Sequence, residues 1–193
     1  MNICVFGASS DRLDPVFFQA SEALGRLIAL KGHCVVFGGG AGGLMGACAR
    51  GAKAADGRVI GIAPSFFNEP GILLESCDEL ILTDTMAARK EKMFALSDAC
   101  IALPGGIGTM DEFFEAITLR QLGLLQASLV LLNTSDFYAP LVAFLEQMAD
   151  RGFMSRNCFD LFRVYETPEA ALQAAVTPDG LTGSIRRLED YTK

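Results

Sequence analysis

Short apolar runs that lack polar alternation recur along this chain, and a helix-like pattern follows each of them. Runs over 2–6, 34–37, 59–62, 79–82, 99–103, 129–132 and 161–164 read as strands. Those over 15–30, 44–55, 85–97, 109–122, 138–149 and 168–175 read as helices, with 64–77 looser and 177–193 a polar tail. Strands without a polar face are buried on both sides, and a strand-then-helix order lays crossover helices over both faces of a parallel sheet. The sequence therefore predicts a Rossmann-like, doubly wound α/β fold of about six to seven strands. At 193 residues, half of them apolar, it reads as a single domain with a full-sized core.

Ligands of such a sheet bind outside the carboxyl ends of its strands. Three of those ends are built from small residues: Gly7-Ala8-Ser9-Ser10, Gly38-Gly39-Gly40-Ala41-Gly42-Gly43-Leu44-Met45-Gly46, and Pro104-Gly105-Gly106-Ile107-Gly108-Thr109. Each glycine costs conformational entropy that a plain connection avoids. Two long glycine runs at helix starts thus point to backbone N–H groups offered to an anion, best a monophosphate. The first run contains G-x-G-x-x-G at Gly38, Gly40 and Gly43, yet it follows the second strand, and the next strand ends in Ala63-Pro64 where a dinucleotide site needs an acidic residue. That argues against NAD and leaves phosphate binding intact. In the second run Pro104 stiffens the strand exit, Gly105, Gly106 and Gly108 clear the approach, and Thr109 adds a hydroxyl.

Composition narrows the partners. A net charge of −7 with no basic run opposes nucleic acid and anionic membranes. The start, Met1-Asn2-Ile3-Cys4-Val5-Phe6-Gly7, lacks the pattern of a signal peptide and no apolar stretch spans a bilayer, so a cytoplasmic location is expected. The six cysteines are scattered without a C-x-x-C pair, and His33 is the single histidine, so zinc clusters and Ser-His-Asp triads lack parts.

Three charged residues stand beside the second loop. Glu112 lies early in the helix it opens, where the macrodipole favours a carboxylate. Arg89 and Lys90 precede the strand that feeds the loop and suit a phosphate or carboxylate in the same cleft. Arg89-Lys90 together with P-G-G-x-G-T-x-x-E over Pro104–Glu112 resembles the Lonely Guy (LOG) family of cytokinin riboside 5′-monophosphate phosphoribohydrolases, whose members have often been labelled lysine decarboxylases. Gly-Leu-Met-Gly at Gly43–Gly46, Gln121-Leu122-Gly123 and Arg151-Gly152-Phe153 sit in the family's order.

The resemblance implies hydrolysis of the N-glycosidic bond of a purine or cytokinin-type nucleoside 5′-monophosphate, with Arg89 and Glu112 as the catalytic pair. It places substrate binding on Gly39, Gly40, Gly43, Gly105, Gly106, Gly108 and Thr109, with Ser9, Met45 and Lys90 beside them, and more weakly on Glu69 and Thr118. It implies a homodimer, for which the apolar helix carrying Phe113, Phe114, Ile117, Leu122, Leu124 and Leu125 offers a face, and it requires no metal or organic cofactor. Two positions depart from the family's pattern, Ala87 where a histidine is common and Leu119 where a tryptophan is common. The alternative is a non-catalytic carrier of the molybdenum-cofactor type, which needs the loops but not the Arg89–Glu112 pair. A single-strand DNA binder is opposed by the acidic balance and the absence of tryptophan. A pyridoxal-phosphate decarboxylase needs a Schiff-base lysine, for which only Lys90 and Lys92 lie near the loop.

Overall fold

A computed structural model describes residues 1–181. Its strands are β1 (Asn2–Phe6), β2 (Cys34–Phe37), β3 (Val59–Pro64), β4 (Glu79–Thr83), β5 (Ala99–Ala102), β6 (Ser128–Leu132) and β7 (Arg163–Tyr165). The helices are α1 (Pro15–Leu30), α2 (Gly43–Lys53), α3 (Met86–Ala95), α4 (Ile107–Gln121), α5 (Ala139–Asp150) and α6 (Pro168–Val176). The strands form one seven-stranded sheet in the order β4-β3-β2-β1-β5-β6-β7, with every neighbouring pair parallel. The doubly wound α/β fold read from the sequence is the fold observed.

Strand periodicity divides the core. Ile3, Val5, Val35 and Phe37 face α1, α2 and α6, where they meet Leu24, Ile28, Leu44, Cys48 and Leu172. Cys4, Phe6, Val36 and Cys100 point to the other face, against Met93 and Phe94 of α3, Phe113 of α4 and Leu145 of α5. Both faces of β1 are sealed, which is why its sequence shows no alternation.

Several boundaries shift by one to a few residues from those expected, and two of the shifts have a plain local reason. α4 begins at Ile107, so Gly108 and Thr109 lie in its first turn, where N–H groups have no intrahelical acceptor and glycine does little harm. β7 is displaced to Arg163–Tyr165 because Arg156–Leu161 winds into a 3-10 turn. The opening of the polar tail is held: Asp179 accepts from buried Arg120 at 2.5 Å. Its remainder lies outside the described residues.

β1 is the switch point of the sheet, with β2 to β4 on one side and β5 to β7 on the other. The loops leaving β1 and β5 therefore diverge, and a crevice opens between them. The Ala8 N–H donates to the Pro104 carbonyl at 3.1 Å, and the buried Tyr138 hydroxyl donates to the Leu103 carbonyl at 2.5 Å, so both rims are tied down.

α1 and α2 approach backbone to backbone. A Cβ at Gly25 would lie 1.8 Å from the Cys48 carbonyl oxygen, and one at Gly51 would lie 2.2 Å from that of Glu22. Overpacking of this kind costs about 1–3 kcal/mol. Urea unfolding of Gly25→Ala is expected to show a lowered midpoint, and an unchanged midpoint would contradict this packing.

Candidate active site

The carboxyl ends of β1, β2 and β5 line a cleft of about 600 Å³, within the range of small-molecule sites. Ala8 and Ser9 come from the first loop, Gly40, Gly42 and Met45 from the second, and Gly106 to Thr109 from the third. Phe67, Ile72, Leu73 and Met86 supply apolar walls, and Arg89, Asp111 and Glu112 supply charge.

The third loop presents an open anion cradle. α4 has no side-chain cap at Gly106, and the first amide of that region with a carbonyl partner is Met110, donating to Gly106 at 3.0 Å. The N–H groups of Gly106, Ile107, Gly108 and Thr109 thus have no protein acceptor among the described residues. A Cβ at Gly106 or Gly108 would meet nothing within 4 Å, so both glycines border open space. Gly105 serves differently. A Cβ there would fall 2.1 Å from the Thr109 hydroxyl oxygen, so its bareness admits the buried Thr109.

The loop after β2 is more self-contained. The Gly43 N–H, at the start of α2, donates to the Asp11 carboxylate at 2.7 Å. The Ala41 N–H donates to the Ile72 carbonyl at 2.9 Å and the Leu44 N–H to the Ala8 carbonyl at 2.8 Å. Gly39, with φ +77°, is buried and packs toward Ala63 and Leu73. Only Gly40 of the three phosphate-binding glycines expected in this loop borders the cleft.

Arg89 and Glu112 meet at the floor. Arg89 Nη1 donates to Glu112 Oε1 at 2.8 Å and its Nε donates to the Ile62 carbonyl at 3.1 Å. Both side chains are about 95% buried, with 6% and 5% exposure. Burial pushes the Glu112 carboxyl above its ordinary value, while the Arg89 guanidinium pulls in the opposite direction. The pair is held by both helices: Thr85 caps α3 by accepting from the Ala88 N–H at 3.1 Å, and Glu112 follows the glycine turn of α4.

Lys90 faces elsewhere, on Asp111 at 2.8 Å and on Glu115. Burial works against its charge, yet the two carboxylates outweigh burial and hold the ammonium above the ordinary lysine value. Glu69 lies in the segment between β3 and β4 and lines a neighbouring groove that shares Leu73 with the cleft, not the cleft itself. The Thr118 hydroxyl donates to the Phe114 carbonyl at 2.8 Å, farther along α4. Leu119 packs into the core under α4, and it is Met86, not Ala87, that reaches the cleft. Among the described residues no three His, Cys, Asp or Glu side chains come together as metal ligands.

Sequence reasoning missed Asp11, Tyr138 and the apolar walls. Asp11 caps a helix that begins 32 residues later, and such a contact leaves no local pattern. Three of the walls, Phe67, Ile72 and Leu73, come from the looser segment, which a bridge between Leu73 and Gly40 ties to the loop after β2.

Fold and cleft together define a doubly wound α/β protein with an uncapped anion cradle and a buried Arg–Glu pair at its switch point. Comparison with known proteins makes the class specific. The chain is 36% identical over 178 residues to the cytokinin riboside 5′-monophosphate phosphoribohydrolase of Rhodococcoides fascians, covering 92% of this chain and 90% of that protein. It is 35% identical over 160 residues to the enzyme of the same name from Mycobacterium marinum, covering 83% and 86%. A family described as "Possible lysine decarboxylase" matches residues 45–175. Among solved structures, the molybdenum cofactor binding protein of Rippkaea orientalis superposes with a TM-score of 0.69 at 26% identity, covering 89% of this chain and 93% of that one. The chain belongs to the LOG family of cytokinin riboside 5′-monophosphate phosphoribohydrolases.

A buried carboxylate that loses its cation is strongly destabilising, by about 3–5 kcal/mol. Arg89→Met is expected to lower stability most at neutral pH. Its Glu112 would have a folded pKa far above the unfolded one, so the loss should shrink as pH falls toward the ordinary carboxylate range. Denaturant melts at pH 7 and pH 5 check this, and an equal loss at both would contradict it.

Proposed function

We propose that this protein hydrolyses the N-glycosidic bond of a purine or cytokinin-type nucleoside 5′-monophosphate to free base and ribose 5-phosphate. The observation that carries the reading is the Arg89–Glu112 pair, fixed at 2.8 Å beside four amides that have no protein acceptor among the described residues. Those amides hold the 5′-phosphate, with the Thr109 hydroxyl beside them. The sugar then lies over Glu112.

Departure of the base takes the electron pair of the C1′–N bond and leaves positive charge on the ribose. The Glu112 carboxylate stabilises that charge, and its second oxygen takes the proton from the water that adds to C1′. Arg89 keeps its proton throughout. It orients Glu112 through Nη1 and offsets negative charge as it develops. The base leaves with the bond's electron pair and takes one proton from solvent, Glu112 returns the water's proton to solvent, and in sum one water is divided between the free base and ribose 5-phosphate.

Decarboxylase chemistry has no anchor here. Among the described residues no lysine side chain lines the cleft, and Lys90 is engaged by two carboxylates. A carrier would have no use for a buried ion pair, although the fold is shared with a molybdenum cofactor binding protein. The apolar walls of Phe67, Ile72, Leu73 and Met86 take the base, and a cytokinin side chain suits them better than water does. No described helix is long and apolar enough to cross a membrane. All six cysteines are free thiols, in keeping with a reducing cytoplasm.

Incubation with AMP and with isopentenyl-AMP is expected to release free base. Glu112→Gln and Arg89→Ala should each lower the rate by on the order of a hundredfold with the fold intact. An unchanged rate in either variant removes that residue from the mechanism. Since Glu112 must be ionised to accept a proton, kcat/KM should fall on acidification along a limb above the ordinary glutamate range, and Arg89→Ala should move that limb higher.

A homodimer buries the apolar residues left on and just after α4. Phe113 and Leu125 belong to the core, but Phe114, Leu122 and Leu124 are 39%, 43% and 72% exposed. Light scattering is expected to give two chains per particle, and Leu124→Glu to shift the equilibrium toward one. A wild-type monomer at micromolar concentration would refute the dimer.

A further inference from the structure

The two glycine loops look alike in sequence, yet glycine is required in them for different reasons. Gly39 and Gly43 have φ of +77° and +62°, a region that side-chain-bearing residues rarely adopt. Gly38 does not have a positive φ. Its backbone would accept any residue, and what forbids one is space. A Cβ on Gly38 would stand 1.9 Å from Arg89 Nη2 and 3.1 Å from its Cζ.

The guanidinium has nowhere to retreat. Nε is held by the Ile62 carbonyl at 3.1 Å, Nη1 is held by Glu112 at 2.8 Å, and the residue is 6% exposed. Arg89 is therefore clasped by the ends of β2 and β3 while it reaches Glu112 on α4. Much of the loop near the start of α2 is bound to the protein itself. Amides of Ala41, Gly43 and Leu44 have protein acceptors, and the Gly39 carbonyl accepts from the Leu74 N–H at 2.9 Å.

We propose that the glycine loop after β2 is the seat of Arg89, with Gly38 a positioning residue for the catalytic pair. The inference rests on the hydrolase reading for its kinetic consequences, and on geometry alone for the coupling of positions 38 and 89. A methyl at 38 displaces the guanidinium from Glu112. The catalytic step suffers while the phosphate cradle stays whole. A side chain at Gly108, by contrast, enters the open space of the cradle.

The test compares Gly38→Ala with Gly108→Asp, using AMP and isopentenyl-AMP as substrates. Gly38→Ala should lower kcat by on the order of a hundredfold and change KM by less than about threefold, whereas Gly108→Asp should raise KM by about tenfold or more. The acid limb of the Gly38→Ala pH profile should also rise. The charged and titratable groups facing Glu112 are Arg89 and Lys90 from α3, Asp111 beside it on α4 and the Cys4 thiol from β1, and of these only Arg89 is moved.

A double-variant cycle closes the test. Gly38→Ala should lower the melting temperature of the wild type yet leave that of Arg89→Ala unchanged, because the added methyl then has room. The double variant remains measurable even where Gly38→Ala fails to fold. A raised KM with wild-type kcat in Gly38→Ala, or losses that simply add in the double variant, would overturn the proposal. The thermal coupling needs no substrate. A wild type inactive on both nucleotides would therefore defeat the hydrolase reading and still leave the seat to be judged.

Discussion

The buried ion pair between Arg89 and Glu112 is the constraint around which the cleft is built. An ionised carboxylate withdrawn from water is costly unless a cation is withdrawn with it, and the pair together is no great source of stability. Its presence at the switch point of the sheet makes sense as chemistry. Burial raises the proton affinity of Glu112, which makes it a stronger base, and the Arg89 guanidinium pulls in the opposite direction. Each effect alone would spoil the site: burial by neutralising the carboxylate, the guanidinium by making it too weak a base.

The surrounding structure follows from keeping those two groups in place. β1 divides the sheet so that the loops after β1 and β5 part, and α4 enters that gap amino-end first. In the proposed mechanism its unpaired amides draw an anion to within reach of Glu112, which lies on the same helix. α3 brings Arg89 from the opposite side, and the bare backbone of Gly38 lets it through. Asp11, meanwhile, caps α2 with a carboxylate of the protein's own, which leaves α4 as the helix start open to a substrate phosphate.

Much of this was legible in the sequence. The strands declared themselves because both faces of the sheet are covered, so β1, β2 and β5 carry no polar residue at all beyond Asn2. P-G-G-x-G-T-x-x-E compresses cradle and base into one turn and a half of helix, which a sequence pattern can show. What it could not show is which amides stay free. The glycine at 43 looks like those at 106 and 108, and only the fold reveals that Ile72, Asp11 and Ala8 have already taken the amides of Ala41, Gly43 and Leu44. Lys90 likewise looked free until α4 brought Asp111 and Glu115 to it. Contacts between distant loops leave no periodicity to read.

The central claim is positional, and one measurement addresses it most directly: a crystal structure of the slowed Glu112→Gln variant with AMP bound. The account predicts the phosphate on the amides of Gly106 to Thr109, with C1′ facing the side chain at position 112. A phosphate seated instead on α2, or a ribose turned away from residue 112, would contradict it.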